Sequence, residues 1–98
     1  MVQDDNNVAM VVTTAHRGVF FGYGRYNIDG GSIELREARM CIYFPAENHG
    51  VLGLAAEGPL LGARVGPAIP SILLKDITSA SRCTAIAIKR WESAPWSS

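Results

Sequence analysis

Charged residues are scarce in this sequence of 98 residues. Asp, Glu, Lys and Arg make up 18% of it, whereas soluble proteins average about 25%. Nine basic residues balance nine acidic ones, so the formal net charge is zero. Proteins that coat nucleic acids gain affinity from an excess of Lys and Arg, which neutralises the phosphates. The absence of such an excess argues against non-specific binding of DNA or RNA.

Cysteine and histidine occur only twice each. Cys41, Cys83, His16 and His49 share no spacing typical of a metal site, and no Gly-x-Ser-x-Gly or phosphate-binding glycine motif is present. Two cysteines are also few for a disulfide-stapled domain. We therefore predict no metal, no cofactor, no catalytic residue and no enzymatic activity. Cys83, which precedes a predicted helix, is the more reactive thiol candidate; the alternative is that both thiols are packed in the core.

Long apolar runs are missing as well. Every apolar run is interrupted by Gly, Pro or a charged residue, and all are well short of the roughly 20 residues that a membrane helix needs. The first residues, Met1-Val2-Gln3-Asp4-Asp5, are acidic and polar, unlike a secretory signal. We expect a cytoplasmic protein with reduced thiols and no membrane contact.

Apolar residues are abundant, at 48% of the sequence. The length fits one domain, residues 1–98, and a domain this small has a high surface-to-volume ratio. Some apolar side chains must then lie at the surface, where a subunit interface can cover them. We expect a homo-oligomer, with a monomer as the alternative.

The N-terminal part of the sequence predicts β-strands. Residues 1–7 are polar and are expected to be disordered. The β-branched run Val8–Thr14 predicts a first strand, and the alternating pattern from Val19 to Tyr23 predicts a second. Gly22 and Gly24 lie on one face of the second strand, where glycines mark a bulge, a sharp bend or the close approach of another backbone.

A hairpin and a phase shift follow. Residues 27–31 contain Asp-Gly, the strongest hairpin signal in the chain. Beyond them, apolar residues occupy odd positions up to Leu35 and even positions from Met40 onward. A β-bulge produces such a shift; the alternative is two strands with a tight bend near Glu37.

The remaining segments carry weaker signals. We predict a loop over Pro45–Gly50, an apolar strand over Val51–Ala56, a mostly irregular segment over Leu60–Pro70 with a short edge strand near Ala63–Val65, and a last strand within Ser71–Ser81.

One helix is predicted at the C-terminal side. Thr84 is a good N-cap, and Ala85, Ile88 and Trp91 share one face at helical spacing, so the helix spans residues 84–92. Residues 95–98 are expected to form a loose tail. The predicted fold is mainly β (α+β): a small barrel-like or strongly bent antiparallel sheet with one short C-terminal helix.

Several arginines occur in turns or beside an aromatic residue. Backbone N–H groups in glycine-flanked loops can bind anions, and an arginine adds a fork of donors. For each arginine taken alone, a plain turn or pairing to a nearby carboxylate is the better interpretation. Taken together, they predict a site for a small anionic ligand formed by Arg17, Arg39, Tyr43, His49, Arg64 and Gly66.

Four segments in this order resemble a family of small proteins of unknown function encoded by bacteriophages and prophages. They are Ala15–Gly22, Ala38–Tyr43, Gly50–Ala55 with Gly58-Pro59, and Arg64–Ala68. The resemblance runs from about Ala15 to Glu92, and each motif is weak by itself. In place of the Cys-Arg pair expected before the Gly-Pro, this sequence has Ala63-Arg64, which excludes a role for a thiol there.

The resemblance implies an intracellular protein of phage origin, and it brings no established activity. Phages keep small non-enzymatic proteins for assembly into the virion or for action against the host. By analogy of size and context we expect an oligomeric binding protein that sequesters an anionic immune signal such as a cyclic nucleotide. The alternatives are a virion-associated assembly protein or an inhibitor that binds a host protein.

Overall fold

The computed structural model describes residues 7–15, 18–27 and 31–95. The predictions for residues 1–6, for the centre of the hairpin turn at residues 28–30 and for the tail at residues 96–98 lie outside the described residues. The elements are β1 (Val8–Thr14), β2 (Val19–Gly24), β3 (Ile33–Tyr43), a 3₁₀ helix (Ala46–Asn48), α1 (Gly50–Glu57), β4 (Arg64–Val65), β5 (Ile69–Leu74), β6 (Ile77–Arg82) and α2 (Ala85–Ser93).

All six strands form one bent antiparallel sheet. Its order is β4-β3-β2-β1-β6, and β5 also pairs with β3. Strands β5 and β6 therefore lie at opposite ends of the sheet, although only Lys75 and Asp76 separate them in the chain. Three residue steps span at most about 11 Å, so the sheet must curl until its two ends approach each other. The predicted strongly bent antiparallel sheet is confirmed, but it does not close into a barrel.

The curled sheet has an apolar cluster on each face. The outer cluster lies beneath α1 and α2 and includes Phe21, Leu54 and Trp91. The inner cluster includes Met10 and Leu35, both fully buried, and all its buried members lie on strands. The bend of the sheet itself therefore covers most of the inner face.

The phase shift in the third strand is a bulge within one strand. Phe21 lies opposite Arg39 and Tyr23 opposite Arg36, so β3 has one residue more than β2 between the two pairs. Glu37 lies in this step and has a φ of 49°, in the left-handed region. The phase shift is therefore a β-bulge, and the alternative of two strands with a tight bend near Glu37 is wrong.

The glycines of β2 allow β3 to approach closely at this bulge. A Cβ atom on Gly24 would lie 2.4 Å from the carbonyl oxygen of Glu34, and one on Gly22 would lie 2.8 Å from the Cβ atom of Leu35. Both distances are too short for a side chain. Of the three interpretations of these glycines, the close approach of another backbone therefore applies at Gly24.

Two of the predicted elements are wrong. The strand predicted over Val51–Ala56 is wrong, because these residues lie within α1. Leu and Ala favour a helix, and a short run in which all residues are apolar shows neither the helical nor the strand periodicity. The single strand within Ser71–Ser81 is two strands, β5 and β6, which diverge at Asp76, whose φ is 57°. The short edge strand near Ala63–Val65 is confirmed as β4.

The C-terminal helix forms as predicted, with one change in its buried face. The side-chain oxygen of Thr84 accepts a hydrogen bond from the backbone N–H of Ala87 at 3.1 Å, which caps α2. Ala87 and Trp91 are buried, whereas Ala85 is exposed. The Trp91 ring stacks on Phe21 with 5.0 Å between centroids, and its indole N–H donates to the carbonyl of Leu54 at 3.0 Å. Helix α2 is thus fixed to both β2 and α1.

Candidate interaction site

An apolar groove of about 320 Å³ lies along β3, and we call it the β3 groove. Its lining residues are Phe20, Ala38, Arg39, Met40, Ile42, Gly66, Pro67, Ile69 and Ile72. Ala38 belongs to the inner apolar cluster, and Phe20 and Ile72 pack against that cluster. The groove is therefore the part of the inner face that the curl of the sheet leaves open.

The pairing of β3 explains why the groove is open. The pairing with β5 ends at Ala38, and the pairing with β4 begins at Cys41. Between them the free edge of β3 has one backbone contact, from the N–H of Gly66 to the carbonyl of Met40 at 2.9 Å. The pairing of β3 with β4 has a register shift between Cys41 and Tyr43, at Ile42. Met40 is 45% exposed and Ile42 53% exposed, so two large apolar side chains protrude beside the groove.

Arg39 is buried and engaged by the protein itself. Its Nε donates to the carbonyl of Gly66 at 2.8 Å, and its Nη1 donates to the carbonyl of Trp91 at 2.6 Å. A cation at the C-terminal end of α2 also interacts favourably with the helix dipole. Burial lowers the pKa of the guanidinium. Arg39 and Gly66 thus lie together, as part of the junction between β3, the segment after β4 and α2.

Tyr43 and Arg64 form an exposed pair within the predicted ligand site. They are opposite each other on β3 and β4, and both side chains are exposed. Directly opposed residues lie about 5 Å apart at their Cβ atoms. Ile42, the neighbour of Tyr43, lines the β3 groove, so the Tyr43–Arg64 pair adjoins the groove along β3.

The other two residues of the predicted ligand site lie elsewhere in the chain. His49 is exposed between the 3₁₀ helix and α1, and its φ of 58° places it in the left-handed region. Arg17 lies outside the described residues. The structure therefore places Arg39 beside Gly66 and Tyr43 beside Arg64. Both pairs join β3 to β4 or to the residue that follows it.

The thiols are in protected environments. Burial raises the pKa of Cys41 to about 11 and that of Cys83 to about 12. A thiol must ionise to act as a nucleophile, so neither side chain is activated at neutral pH. Within residues 7–15, 18–27 and 31–95, three or more His, Cys, Asp or Glu side chains nowhere come together in a way that could hold a metal ion.

Two polar side chains that the sequence did not single out meet at the end of α2. The hydroxyl of Tyr23 donates to the carboxylate of Glu92. Burial and this carboxylate both raise the pKa of the phenol. The signal that could have found the contact was weak, because the two residues are 69 positions apart.

One comparison with known proteins gives a match. A family model described as a domain of unknown function, DUF6948, matches residues 7–91. The chain belongs to this family. Neither the curated proteins nor the solved structures include a match to the chain. The DUF6948 domain thus comprises the whole bent sheet and most of α2. None of its described helices is long and apolar enough to cross a membrane.

Proposed function

We propose that the protein is a non-enzymatic binding protein that works as a homo-oligomer and associates with itself through the β3 groove. The observation that carries this proposal is an open apolar groove beside protruding apolar side chains on the same strand. In a symmetric dimer one patch meets its own copy, so it must provide both a cavity and the groups that fill it. Ile42 and Met40 of one copy can enter the groove of the other.

The charge of the protein supports self-association. The formal net charge is zero, so two copies do not repel each other as strongly charged proteins do. The groove lining is almost wholly apolar, and burying it removes apolar surface from water at about 25 cal/mol per Å². A second copy is therefore a better occupant than a charged peptide.

The free edge of the sheet at β6 is a less suitable interface. The hydroxyl of Tyr26 donates to the carbonyl of Ala80 at 3.1 Å. The guanidinium of Arg82 lies 4.6 Å from the centroid of the Tyr26 ring. An unpaired strand edge attracts other strands unless a side chain covers it. Tyr26 provides such a cover, which leaves the β3 groove as the favoured contact.

Sedimentation velocity of the wild type and of Ile42→Asp tests the proposal. Ile42 is exposed in the single chain, so the substitution should leave the fold intact while it places a charge in the interface. We expect an oligomeric wild type and a monomeric Ile42→Asp variant. Leu61→Asp is the matched control, because Leu61 is fully exposed and does not line the groove; it should remain oligomeric. A monomeric wild type at micromolar concentration would refute the proposal.

A second candidate function is the sequestration of an anionic nucleotide, and the Tyr43–Arg64 pair favours it. A base can stack on the ring, worth about 1–3 kcal/mol, and a phosphate can accept charge-assisted hydrogen bonds from the guanidinium. Self-association through the neighbouring groove would bring such pairs from two copies closer together. In a phage or prophage protein, this chemistry suits a sponge for cyclic nucleotide immune signals.

Calorimetry against cyclic dinucleotides, cyclic trinucleotides and cyclic ADP-ribose tests this second candidate. We expect heat with one of them and a loss of about tenfold or more in affinity for Arg64→Ala. Arg25→Ala is the control, since Arg25 is an exposed arginine outside this region. If no nucleotide gives heat while the oligomer is intact, the assembly role stands alone.

A further inference from the structure

A second, polar cavity of about 260 Å³ lies on the outer face, between the end of α2 and the bulge of β3. We call it the charged pocket. Its lining residues are Phe21, Tyr23, Glu37, Arg39, Ala68 and Glu92. It is separate from the Tyr43–Arg64 pair, and neither proposed function uses it.

One nitrogen atom of Arg39 is left without a bond to a backbone carbonyl. Only 7% of the residue is exposed, and Nε and Nη1 are bonded to carbonyl groups. Every fully buried side-chain N or O atom among the described residues has a hydrogen-bond partner. Nη2, for which no partner is present among them, must therefore have access to solvent. Arg39 also lines the β3 groove, but the wall of that groove is almost wholly apolar. Arg39 is one of the residues that line the charged pocket, so Nη2 is the donor that it can offer to a ligand there.

Two carboxylates lie on the same cavity. Glu92 accepts the hydroxyl of Tyr23, which fixes its position and leaves it further lone pairs. The carboxylate of Glu37 is exposed where it lines the pocket. The bulge, where its φ is 49°, sets the direction of its side chain. The pocket thus combines a positive group at its base with negative groups at its rim.

This distribution of charge restricts the ligand. A simple anion at Arg39 would be repelled by Glu37 and Glu92, and a simple cation at these carboxylates would lie near the guanidinium. A molecule with both charges satisfies both ends. Phe21 and the methyl group of Ala68 contribute apolar atoms to the lining, against which the body of such a molecule can pack.

We propose that the charged pocket binds a small zwitterion of the amino-acid type, with its carboxylate at Nη2 of Arg39 and its ammonium group between Glu37 and Glu92. Each contact is a charge-assisted hydrogen bond, which is stronger than a hydrogen bond between neutral groups. The cavity volume is sufficient for one such molecule. The ligand needs no second copy of the chain, because all six lining residues belong to one copy.

Titration of the labelled protein with each of the twenty amino acids, followed by two-dimensional NMR, tests the proposal. We expect at least one of them at millimolar concentration to shift the backbone signals of Glu37, Arg39 and Glu92. The tightest one is then compared with its analogue that lacks the amino group and its analogue that lacks the carboxyl group. Each analogue should bind about tenfold more weakly or worse, since it loses one charge-assisted contact.

Substitutions of the two glutamates test where the ligand binds and leave the buried Arg39 unchanged. Glu37→Gln and Glu92→Gln should each weaken binding about tenfold. Glu47→Gln, an exposed glutamate outside the pocket, should leave it unchanged. The NMR spectrum of each variant shows directly whether the fold is preserved. The proposal is overturned if no amino acid shifts these signals, if either analogue binds as tightly as the zwitterion, or if binding survives both substitutions.

Discussion

Arg39 is bonded within the fold and also lines the charged pocket. In the sequence it lies on a strand near Tyr43, which suggested a ligand-binding cation. In the structure it donates to the carbonyls of Gly66 and Trp91 across 27 and 52 residues of sequence. No local pattern reports contacts at such separations. The sequence therefore identified the residue but not its partners, because the partners depend on how α2 packs.

Replacing Arg39 by alanine should destabilise the protein. Two buried carbonyls lose a charged donor, and such bonds contribute about 1.5–3 kcal/mol each; we expect a decrease of about 2–4 kcal/mol in the free energy of unfolding. Urea denaturation followed by tryptophan fluorescence measures it. Arg64→Ala, at an exposed position, is the control and should change stability by less than about 0.5 kcal/mol. Equal stabilities of the two variants would contradict this structural role.

The two thiols should make stability depend on pH in the alkaline range. Their folded pKa values, about 11 for Cys41 and about 12 for Cys83, lie above the ordinary value of 9.0. Above pH 9 the unfolded chain therefore releases thiol protons that the folded chain retains. The contribution of the thiols is fully present below this pH and is lost as the pH rises toward the folded values.

Urea denaturation at about pH 8 and about pH 10 measures this effect. We expect the free energy of unfolding to be lower at the higher pH. In a Cys41→Ala, Cys83→Ala double variant the decrease should be smaller, because only Tyr23 and other alkaline groups still contribute. An identical decrease in both proteins would show that the thiols are not buried.

At the scale of elements, the bulge of β3 was predictable and α1 was not. The change from odd to even apolar positions around Glu37 marks an extra residue, whatever the rest of the fold does. The run Val51–Ala56 contains no such signal, since every position is apolar or glycine and both faces look alike. Tertiary packing selects the helix for this segment, since Leu54 and Ala55 are buried. The side-chain N–H of Asn48 also donates to the carbonyl of Gly58 at 2.8 Å, which holds the end of α1.

Gly24→Ala should weaken the contact between β2 and β3. Its new Cβ atom would overlap the carbonyl oxygen of Glu34, which belongs to the backbone and cannot rotate away. We expect a loss of about 2 kcal/mol in the free energy of unfolding, measured by urea denaturation. Gly66→Ala is the control, because a Cβ atom there would have only ordinary contacts of 3.7 Å or more. A loss no greater than in the control would show that the strands are further apart than described.

At the scale of the whole molecule, the curl of the sheet leaves the β3 groove uncovered. The sequence predicted the excess of apolar residues and hence an oligomer, but not where the excess lies. That location depends on the gap between the pairing of β5 and that of β4 along β3, and both pairings are long-range. Self-association stays a prediction, and the β3 groove gives it a definite place.

Methionine methyl groups allow the groove to be tested directly. Met40 lies in the groove, and Met10 is fully buried in the inner cluster, so it serves as an internal control. The measurement is the broadening of the two methyl NMR signals by a soluble paramagnetic probe, in the wild type and in Ile42→Asp. If the groove is the interface, Met40 is protected in the wild type and accessible in the variant, while Met10 is protected in both. A Met40 signal that is broadened equally in both proteins would contradict self-association through the groove.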